Sequence, residues 1–139
     1  MAAKRVLFLC TGNSARSQMA EGLLRHLGGA RVKAFSAGVS PGERVHPLAV
    51  ATMAERGIDI WQHRPKPLSE FEGESFDLLI TVCDAANEAC PTYERATERL
   101  HWSLPDPAKA IGTEDERKAA FRSVADDLQS RIGHMLESM

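Results

Sequence analysis

The segment that most constrains the fold is a short apolar run that leads through small residues into a helical pattern. The run Val6–Leu9 is apolar without alternation, which is typical of a strand buried on both faces. From Ser17 to Leu27 the apolar residues recur at helical spacing, and two glycines at 28–29 end the pattern. A strand that turns tightly into a helix is the first part of a βαβ unit, so we expect a parallel sheet.

The remainder of the chain continues this alternation. Apolar segments at 32–37, 76–82 and 100–104 are predicted strands. Helices are predicted from Pro47 to about Arg56 and after the capping-box sequence Thr113–Glu116. The pattern indicates an α/β fold with a mostly parallel sheet. The 139 residues contain no internal repeat and no long linker, so a single domain over residues 1–139 is expected.

Composition excludes several classes of protein. Apolar residues make up 43% of the chain and charged residues 26%, and the formal net charge is -2, so we expect no nucleic-acid and no membrane partner. No apolar run is long enough to span a bilayer, and the N-terminus lacks the pattern of a signal peptide. The expected protein is a cytoplasmic monomer.

The three cysteines are Cys10, Cys83 and Cys90. In a reducing compartment such residues are buried fillers, metal ligands or reactive groups. Cys10 and Cys83 each come directly after a predicted strand, and Asp106 follows a third. Ligands of parallel sheets bind beyond the carboxyl ends of the strands, so these three side chains are expected to converge at one edge.

The connection after Cys10 has the composition of an oxyanion-binding loop. Gly12 and Asn13 tolerate positive φ, so successive backbone amides can point into one concavity at the N-terminus of the helix. Arg16 adds a planar fork of hydrogen-bond donors. The positive helix N-terminus and the Arg16 guanidinium are expected to lower the pKa of Cys10, and the Ser17 hydroxyl is expected to donate to the thiolate. The predicted oxyanion-binding residues are Thr11, Gly12, Asn13, Ser14, Ala15 and Arg16. Alternatively, Cys10 is a buried filler and Arg16 a surface charge.

Cys83 and Cys90 are separated by a spacer that suits a short helix. Seven helical residues place the two cysteines about 10 Å apart along the axis. A disulfide needs Cα atoms closer than about 7 Å, so the pair can bond only if the helix unwinds. The spacing therefore predicts a redox switch. The alternatives are two core residues or a three-cysteine metal site. No close cysteine pair or suitably spaced histidine supports a metal site, and we expect no metal or other cofactor.

The segment Cys10–Ser17 resembles the signature loop of the low-molecular-weight tyrosine phosphatase superfamily. The sequences at 36–38, 57–60 and 104–107 occur in the order expected for that superfamily. The resemblance implies a three-layer domain with a four-stranded parallel sheet flanked by helices. It also implies that Asp106 is the general acid, on a loop over the oxyanion site.

The three-cysteine pattern resembles one branch of that superfamily, the thioredoxin-coupled arsenate reductases. The resemblance implies that arsenate is the substrate, that Cys10 is the nucleophile, and that Cys83 and then Cys90 carry the oxidation to a final disulfide, which thioredoxin reduces. Three alternatives stay open. One is a phosphotyrosine phosphatase whose later cysteines protect Cys10, another is a thiol-based sensor of arsenite or metal, and the third is glutathione as the reductant.

In some relatives an asparagine, a glutamate, a serine and an aspartate hold a cation near the loop. Asn13, Glu21 and Ser36 match three of these residues, but Lys66 stands at the aspartate position. We hypothesise that the Lys66 ammonium takes the place of a potassium ion and neutralises Glu21. The alternative is that Lys66 is a solvated surface charge.

Overall fold

The computed structural model describes residues 2–89 and 95–139, and those ranges contain four strands and four α-helices. The strands are β1 (Lys4–Cys10), β2 (Val32–Gly38), β3 (Phe76–Thr81) and β4 (Ala96–His101). The helices are α1 (Arg16–Gly28), α2 (Pro47–Ala54), α3 (Asp84–Ala89) and α4 (Glu114–Glu137). Short 3-10 turns lie at Gly29–Arg31, Leu68–Phe71 and Pro107–Lys109.

The four strands form one parallel sheet in the order β2-β1-β3-β4. β1 lies inside the sheet, and its residues 6–9 are completely buried, as the apolar run without alternation predicts. α1 packs on β1 and β2 and also contacts α2 and α4, whereas α3 packs against β1 and β3. The predicted fold, a four-stranded parallel sheet flanked by helices, is confirmed.

The local signals for helix ends are also confirmed. The Thr113 hydroxyl accepts a hydrogen bond from the Glu116 amide at 3.1 Å, and the Glu116 carboxylate accepts one from the Thr113 amide at 3.2 Å. This capping box satisfies two backbone donors that the first turn of α4 leaves free. Gly57, with φ of 75°, follows α2 in the left-handed region, where glycine is the least strained residue.

The fourth strand differs from the prediction. The sequence indicates a strand at 100–104, but β4 begins four residues earlier and ends at His101. β4 is an edge strand whose residues are half-buried or exposed. It therefore contains polar side chains and lacks the continuous apolar run from which a strand is predicted. The apolar signal comes from Trp102 and Leu104, which are buried in the core just beyond the end of the strand.

The predicted helix between Cys83 and Cys90 is present as α3 over residues 84–89. Cys90 itself lies outside the described residues. None of the helices in the described part of the chain combines the length and the hydropathy that crossing a bilayer requires.

Candidate active site

The carboxyl edge of the sheet brings together the residues that the sequence predicts there. Cys10 is the last residue of β1, and Cys83 follows the end of the adjacent β3 by two residues. Asp106 lies in the connection after β4 and contacts Arg16, the first residue of α1, with 3.8 Å between Oδ2 and Nη2. Two cysteines, one arginine and one carboxylate therefore share one edge.

The backbone of the loop at 11–15 is turned so that its carbonyl groups face away from the concavity. The carbonyl oxygens of Cys10, Thr11, Gly12 and Ser14 accept hydrogen bonds from the amides of Val39, Ser40, Gly42 and His46, at 2.8–3.0 Å. In a trans peptide the N–H group points opposite to the C=O group, so the amides of this loop turn toward the Cys10 side. This is the arrangement of an anion-binding nest.

Asn13 fixes the sharpest bend of the loop. Its φ of 50° makes it the only described residue other than glycine with positive φ, a conformation that asparagine adopts more easily than most residues. Its side-chain amide donates to Ser17 at 2.7 Å and to Ser36 at 3.0 Å, so the bend is tied to both α1 and β2. A Cβ atom at Gly38 would lie 2.6 Å from the Thr11 carbonyl oxygen, so only glycine allows β2 to approach the loop this closely.

Cys10 is buried at the centre of this loop. Its Sγ lies 2.8 Å from the Ser17 hydroxyl and accepts a hydrogen bond from the Asn13 amide at 3.1 Å. Burial nevertheless raises the pKa of the Cys10 thiol, because desolvation of the thiolate outweighs the hydrogen bonds from Ser17 and Asn13 that lower it. The expectation that the pKa of Cys10 is lowered is therefore wrong: the stabilising donors are present, but burial of the sulfur outweighs them.

Replacing Ser17 with alanine removes the shortest of these contacts to the sulfur. We expect the pKa of Cys10 to rise further and its alkylation by iodoacetamide at pH 7 to slow about tenfold, since a hydrogen bond to a charged group is worth about 1.5–3 kcal/mol. The rate is measured with Cys83 and Cys90 both replaced by serine. Ser14→Ala is the matched control, and equal slowing in both variants would contradict the role of Ser17.

Arg16 links the oxyanion loop to the loop that carries the predicted acid. Its Nη1 donates to the Leu104 carbonyl at 3.0 Å, and its Nη2 faces Asp106. Asp106 accepts the Ala108 amide at 3.0 Å and thereby caps the turn Pro107–Lys109, which fixes the direction of the carboxyl group. Arg16 therefore connects the first turn of α1, directly after the oxyanion loop, with the segment that carries Asp106.

Cys83 is buried beside the same loop. Its Sγ lies 3.3 Å from the Thr11 hydroxyl and 3.4 Å from the Ala86 amide. Its charge is also one of the influences that raise the pKa of Cys10, so the two sulfurs share one electrostatic environment. Thr11 and Cys83 lie 72 positions apart in the chain, and they meet because β1 and β3 are neighbours in the sheet.

Glu21 is buried near the loop and is surrounded by cationic groups. It accepts hydrogen bonds from the Ser36 hydroxyl at 2.8 Å and the Arg25 guanidinium at 3.0 Å. The Lys66 ammonium lies 3.8 Å from Oε1, and the Lys66 side chain is only 15% exposed. Burial lowers the pKa of Lys66 and the charge of Glu21 opposes that shift. Lys66 is thus directed inward toward Glu21 and is not a solvated surface charge.

With an ammonium already beside Glu21, potassium is not needed to neutralise the carboxylate. We expect replacement of potassium by choline at constant ionic strength to change the turnover of arsenate, the substrate that the resemblance implies, less than twofold, a limit set by general salt screening. Lys66→Gln removes the charge and keeps a similar length, so this variant is expected to gain a dependence on potassium. A strong dependence in the unmodified protein would contradict this prediction.

Gln18 is a further residue of the site that the sequence analysis missed. It is fully buried, and its Nε2 contacts the Asn13 carbonyl, the Asn13 side chain and the Arg64 carbonyl at 3.0–3.2 Å. Its Oε1 lies 3.1 Å from Nδ1 of His63. The one sign of Gln18 in the sequence is that this polar residue directly precedes apolar residues of α1. Its partners Arg64 and His63 lie more than 40 positions away, so only the fold shows them. Gln18 therefore stabilises the bend at Asn13 through hydrogen bonds to the Asn13 carbonyl and side chain.

The described residues include no group of three or more histidine, cysteine, aspartate and glutamate side chains placed to hold a metal ion. Two thiols, a guanidinium and a carboxyl group lie at this edge beside the oxyanion loop, and these groups suit the binding of an oxyanion and nucleophilic attack on it.

Comparison with known proteins agrees with this geometry. Residues 5–139 match the family described as Low molecular weight phosphotyrosine protein phosphatase. An arsenate reductase of Halalkalibacterium halodurans is 42% identical over 135 residues, which cover 97% of this chain and 96% of that protein. The structure of an arsenate reductase in the phosphate binding state has a TM-score of 0.83 at 31% identity, covering 97% of this chain and 98% of that one.

A thioredoxin-dependent arsenate reductase of Corynebacterium glutamicum is also similar in structure. Its TM-score is 0.77 at 30% identity, and the match covers 98% of this chain and 61% of that one. These similarities extend over nearly the whole chain and include the strand, loop and helix that hold Cys10. The chain therefore belongs to the low molecular weight phosphotyrosine protein phosphatase family, within which it groups with the arsenate reductases.

Proposed function

We propose that this protein reduces arsenate to arsenite by passing the oxidation through Cys10, Cys83 and Cys90, and that thioredoxin reduces the final disulfide. The observation that carries the proposal is the second buried thiol at the oxyanion loop, where Cys83 lies 3.3 Å from the Thr11 hydroxyl. Phosphate-ester hydrolysis requires one cysteine, whereas reduction of a bound arsenic requires a second thiol within reach of the first.

In the proposed first step the backbone amides of residues 11–15 and the Arg16 guanidinium bind the arsenate oxygens. Loss of the proton from Cys10 makes the thiolate, which the Ser17 hydroxyl and the Asn13 amide stabilise. The thiolate attacks arsenic while Asp106 protonates the oxygen that leaves as water. The product is arsenic bound to the Cys10 sulfur.

In the second step the Cys83 thiolate attacks the Cys10 sulfur. The sulfur–arsenic bond breaks, its electron pair stays with arsenic, and arsenite leaves as a Cys10–Cys83 disulfide forms. In the third step Cys90 attacks Cys83, so that a Cys83–Cys90 disulfide forms and Cys10 leaves as a thiolate. Thioredoxin then returns both sulfurs to thiols. We propose that residues 1–139 carry out this cycle as one domain and a monomer in the reducing cytoplasm, where these thiols persist.

The experiment that tests this function follows NADPH consumption when arsenate is added to the protein with thioredoxin and thioredoxin reductase. Sustained oxidation that is lost in Cys90→Ser supports the three-cysteine cycle. A parallel assay with glutathione, glutaredoxin and glutathione reductase tests the other reductant. Turnover only in the glutathione assay would mean that the protein reduces arsenate with glutathione and glutaredoxin as the reductant instead of thioredoxin. The absence of arsenate-dependent turnover in both assays would contradict the proposed function.

A phosphatase side activity is the second candidate, because the same loop and Arg16 would bind a phosphate ester and Cys10 would attack it. Slow hydrolysis of phosphotyrosine is therefore compatible with arsenate reduction. Vigorous hydrolysis, combined with no arsenate turnover and full activity in Cys83→Ser, would place the protein among the phosphatases.

A further inference from the structure

α3 is joined to the edge strand β4 by a set of polar contacts that the reaction steps above do not use. The Arg99 guanidinium donates to the Asn87 side-chain oxygen at 2.9 Å and to the Asn87 carbonyl at 3.1 Å. His101 Nε2 lies 2.8 Å from the Asp84 carboxylate, and His101 Nδ1 lies 2.7 Å from the Thr81 hydroxyl. We call these five residues the α3 latch.

The latch holds both ends of a helix that has little stability of its own. α3 contains six residues, and isolated helices shorter than about 12 residues are marginal in water. His101 contacts Asp84, the first residue of α3, while Arg99 places a positive charge on a carbonyl near its C-terminal end, where a cation is favourable. Thr81 is fully buried at the end of β3, so the latch is anchored in the sheet.

The position of this helix matters for the third step of the proposed function. The six residues of α3 are all the residues that separate Cys83 from Cys90 in the sequence. In helical conformation this spacing corresponds to a rise of about 10 Å, which is more than the Cα separation that a disulfide allows. The helix must therefore open before Cys90 can attack Cys83. Every contact that holds the closed helix favours the dithiol over the Cys83–Cys90 disulfide by the same factor.

We propose that Arg99 and His101 are positioning residues that hold α3 closed, and that they set both the rate at which the Cys83 region opens and the reduction potential of the final disulfide. This inference rests on the proposed function for its second part only. The first part, the restraint of α3 by β4, is a property of the reduced protein and can be measured without arsenate.

The test of the first part is the alkylation of Cys83 by iodoacetamide in a protein in which Cys10 and Cys90 are serine. Cys83 is only 4% exposed, so its reaction reports opening. Arg99→Met keeps much of the side-chain length and removes the donors, and we expect alkylation to accelerate about tenfold, the effect of losing a charged hydrogen bond. Arg95→Met is the matched control, because Arg95 contacts the Gly73 carbonyl and no described residue of α3.

A second variant separates the latch from the helix propensity of α3 itself. Asn87→Ala removes one acceptor of Arg99 but introduces a better helix former. If the latch holds the helix, alkylation accelerates by about threefold, since the contact to the backbone carbonyl is retained. If the intrinsic stability of the helix governs opening, alkylation slows. Slowing, no change with Arg99→Met, or equal acceleration with Arg95→Met would each overturn the proposal.

The second part is tested in a Cys10→Ser protein that retains Cys83 and Cys90, equilibrated with reduced and oxidised dithiothreitol. Oxidised dithiothreitol accepts the two electrons of the dithiol as the protein disulfide forms. Arg99→Met is expected to shift this equilibrium about tenfold toward the protein disulfide, which is about 30 mV lower in reduction potential. Faster alkylation without this shift would support the restraint of α3 by β4 and would overturn the second part of the proposal. It would also count against formation of a Cys83–Cys90 disulfide and hence against the proposed function.

Discussion

Replacing Cys10 with serine is expected to lower arsenate turnover by about a millionfold and to abolish phosphate-ester hydrolysis at the same time. The size of the effect is that of removing the nucleophile from a preorganised site. A serine hydroxyl at this depth would be far harder to ionise than the thiol, whose pKa burial already raises. The measurements are arsenite release with thioredoxin present and p-nitrophenyl phosphate hydrolysis.

Cys83→Ser is the matched control, because it makes the same chemical change at the other buried cysteine of the site. It is expected to lose arsenate reduction but to keep ester hydrolysis, since the oxyanion loop, Arg16 and Cys10 are unchanged. Retention of arsenate turnover in Cys10→Ser would remove Cys10 from the mechanism. Loss of both activities in both variants, together with an altered circular dichroism spectrum, would point to damaged folding.

The second large effect concerns how much arsenite each cysteine variant can produce without an external reductant. Reduction of As(V) to As(III) takes two electrons, which two thiols supply when they join in a disulfide. Cys90→Ser retains Cys10 and Cys83 and is expected to release about one arsenite per protein and then stop. Cys83→Ser is expected to release none, because no second thiol reaches the Cys10 sulfur.

The amounts are measured by acid quenching followed by chromatographic separation of arsenite from arsenate. Peptide mapping of the stopped Cys90→Ser protein is expected to find the Cys10–Cys83 disulfide. Equal arsenite release from the two variants would contradict the assigned order of the cysteines. Repeated turnover by Cys90→Ser once thioredoxin and thioredoxin reductase are added would mean that Cys90 is not needed to complete the cycle.

The part of the fold nearest the site could be predicted because its signals are local. The buried strand β1, the small residues after Cys10 and the helical spacing of α1 lie within one continuous segment. The capping box of α4 is equally local. The sequence places the fourth strand wrongly because an edge strand needs few apolar residues, and the position of β4 depends instead on its pairing with β3.

The identity of the site residues could be read from the sequence, but their electrostatics could not. The loop, Arg16 and the two described cysteines occupy the predicted edge of the sheet. The pKa of Cys10 was predicted in the wrong direction because burial of the sulfur depends on how tightly the loop packs against β2 and α1. The contacts of Thr11 with Cys83 and of Arg99 with Asn87 join different elements. Their geometry follows only from the order of strands in the sheet.

Hydrogen bonds within the protein fix the carbonyl groups of the oxyanion loop to the segment at 39–46. Binding therefore pays little entropy for ordering the loop, and the loop is equally ready for phosphate and for arsenate, which have similar shape and charge. Selectivity must then arise as kinetic partitioning after the covalent step. A phosphorylated Cys10 is released only by hydrolysis, whereas in the proposed function the neighbouring Cys83 thiol attacks the Cys10 sulfur of an arsenic adduct and releases arsenite. Under the proposed function, Cys83, rather than the loop that binds the anion, is the residue that distinguishes arsenate from phosphate.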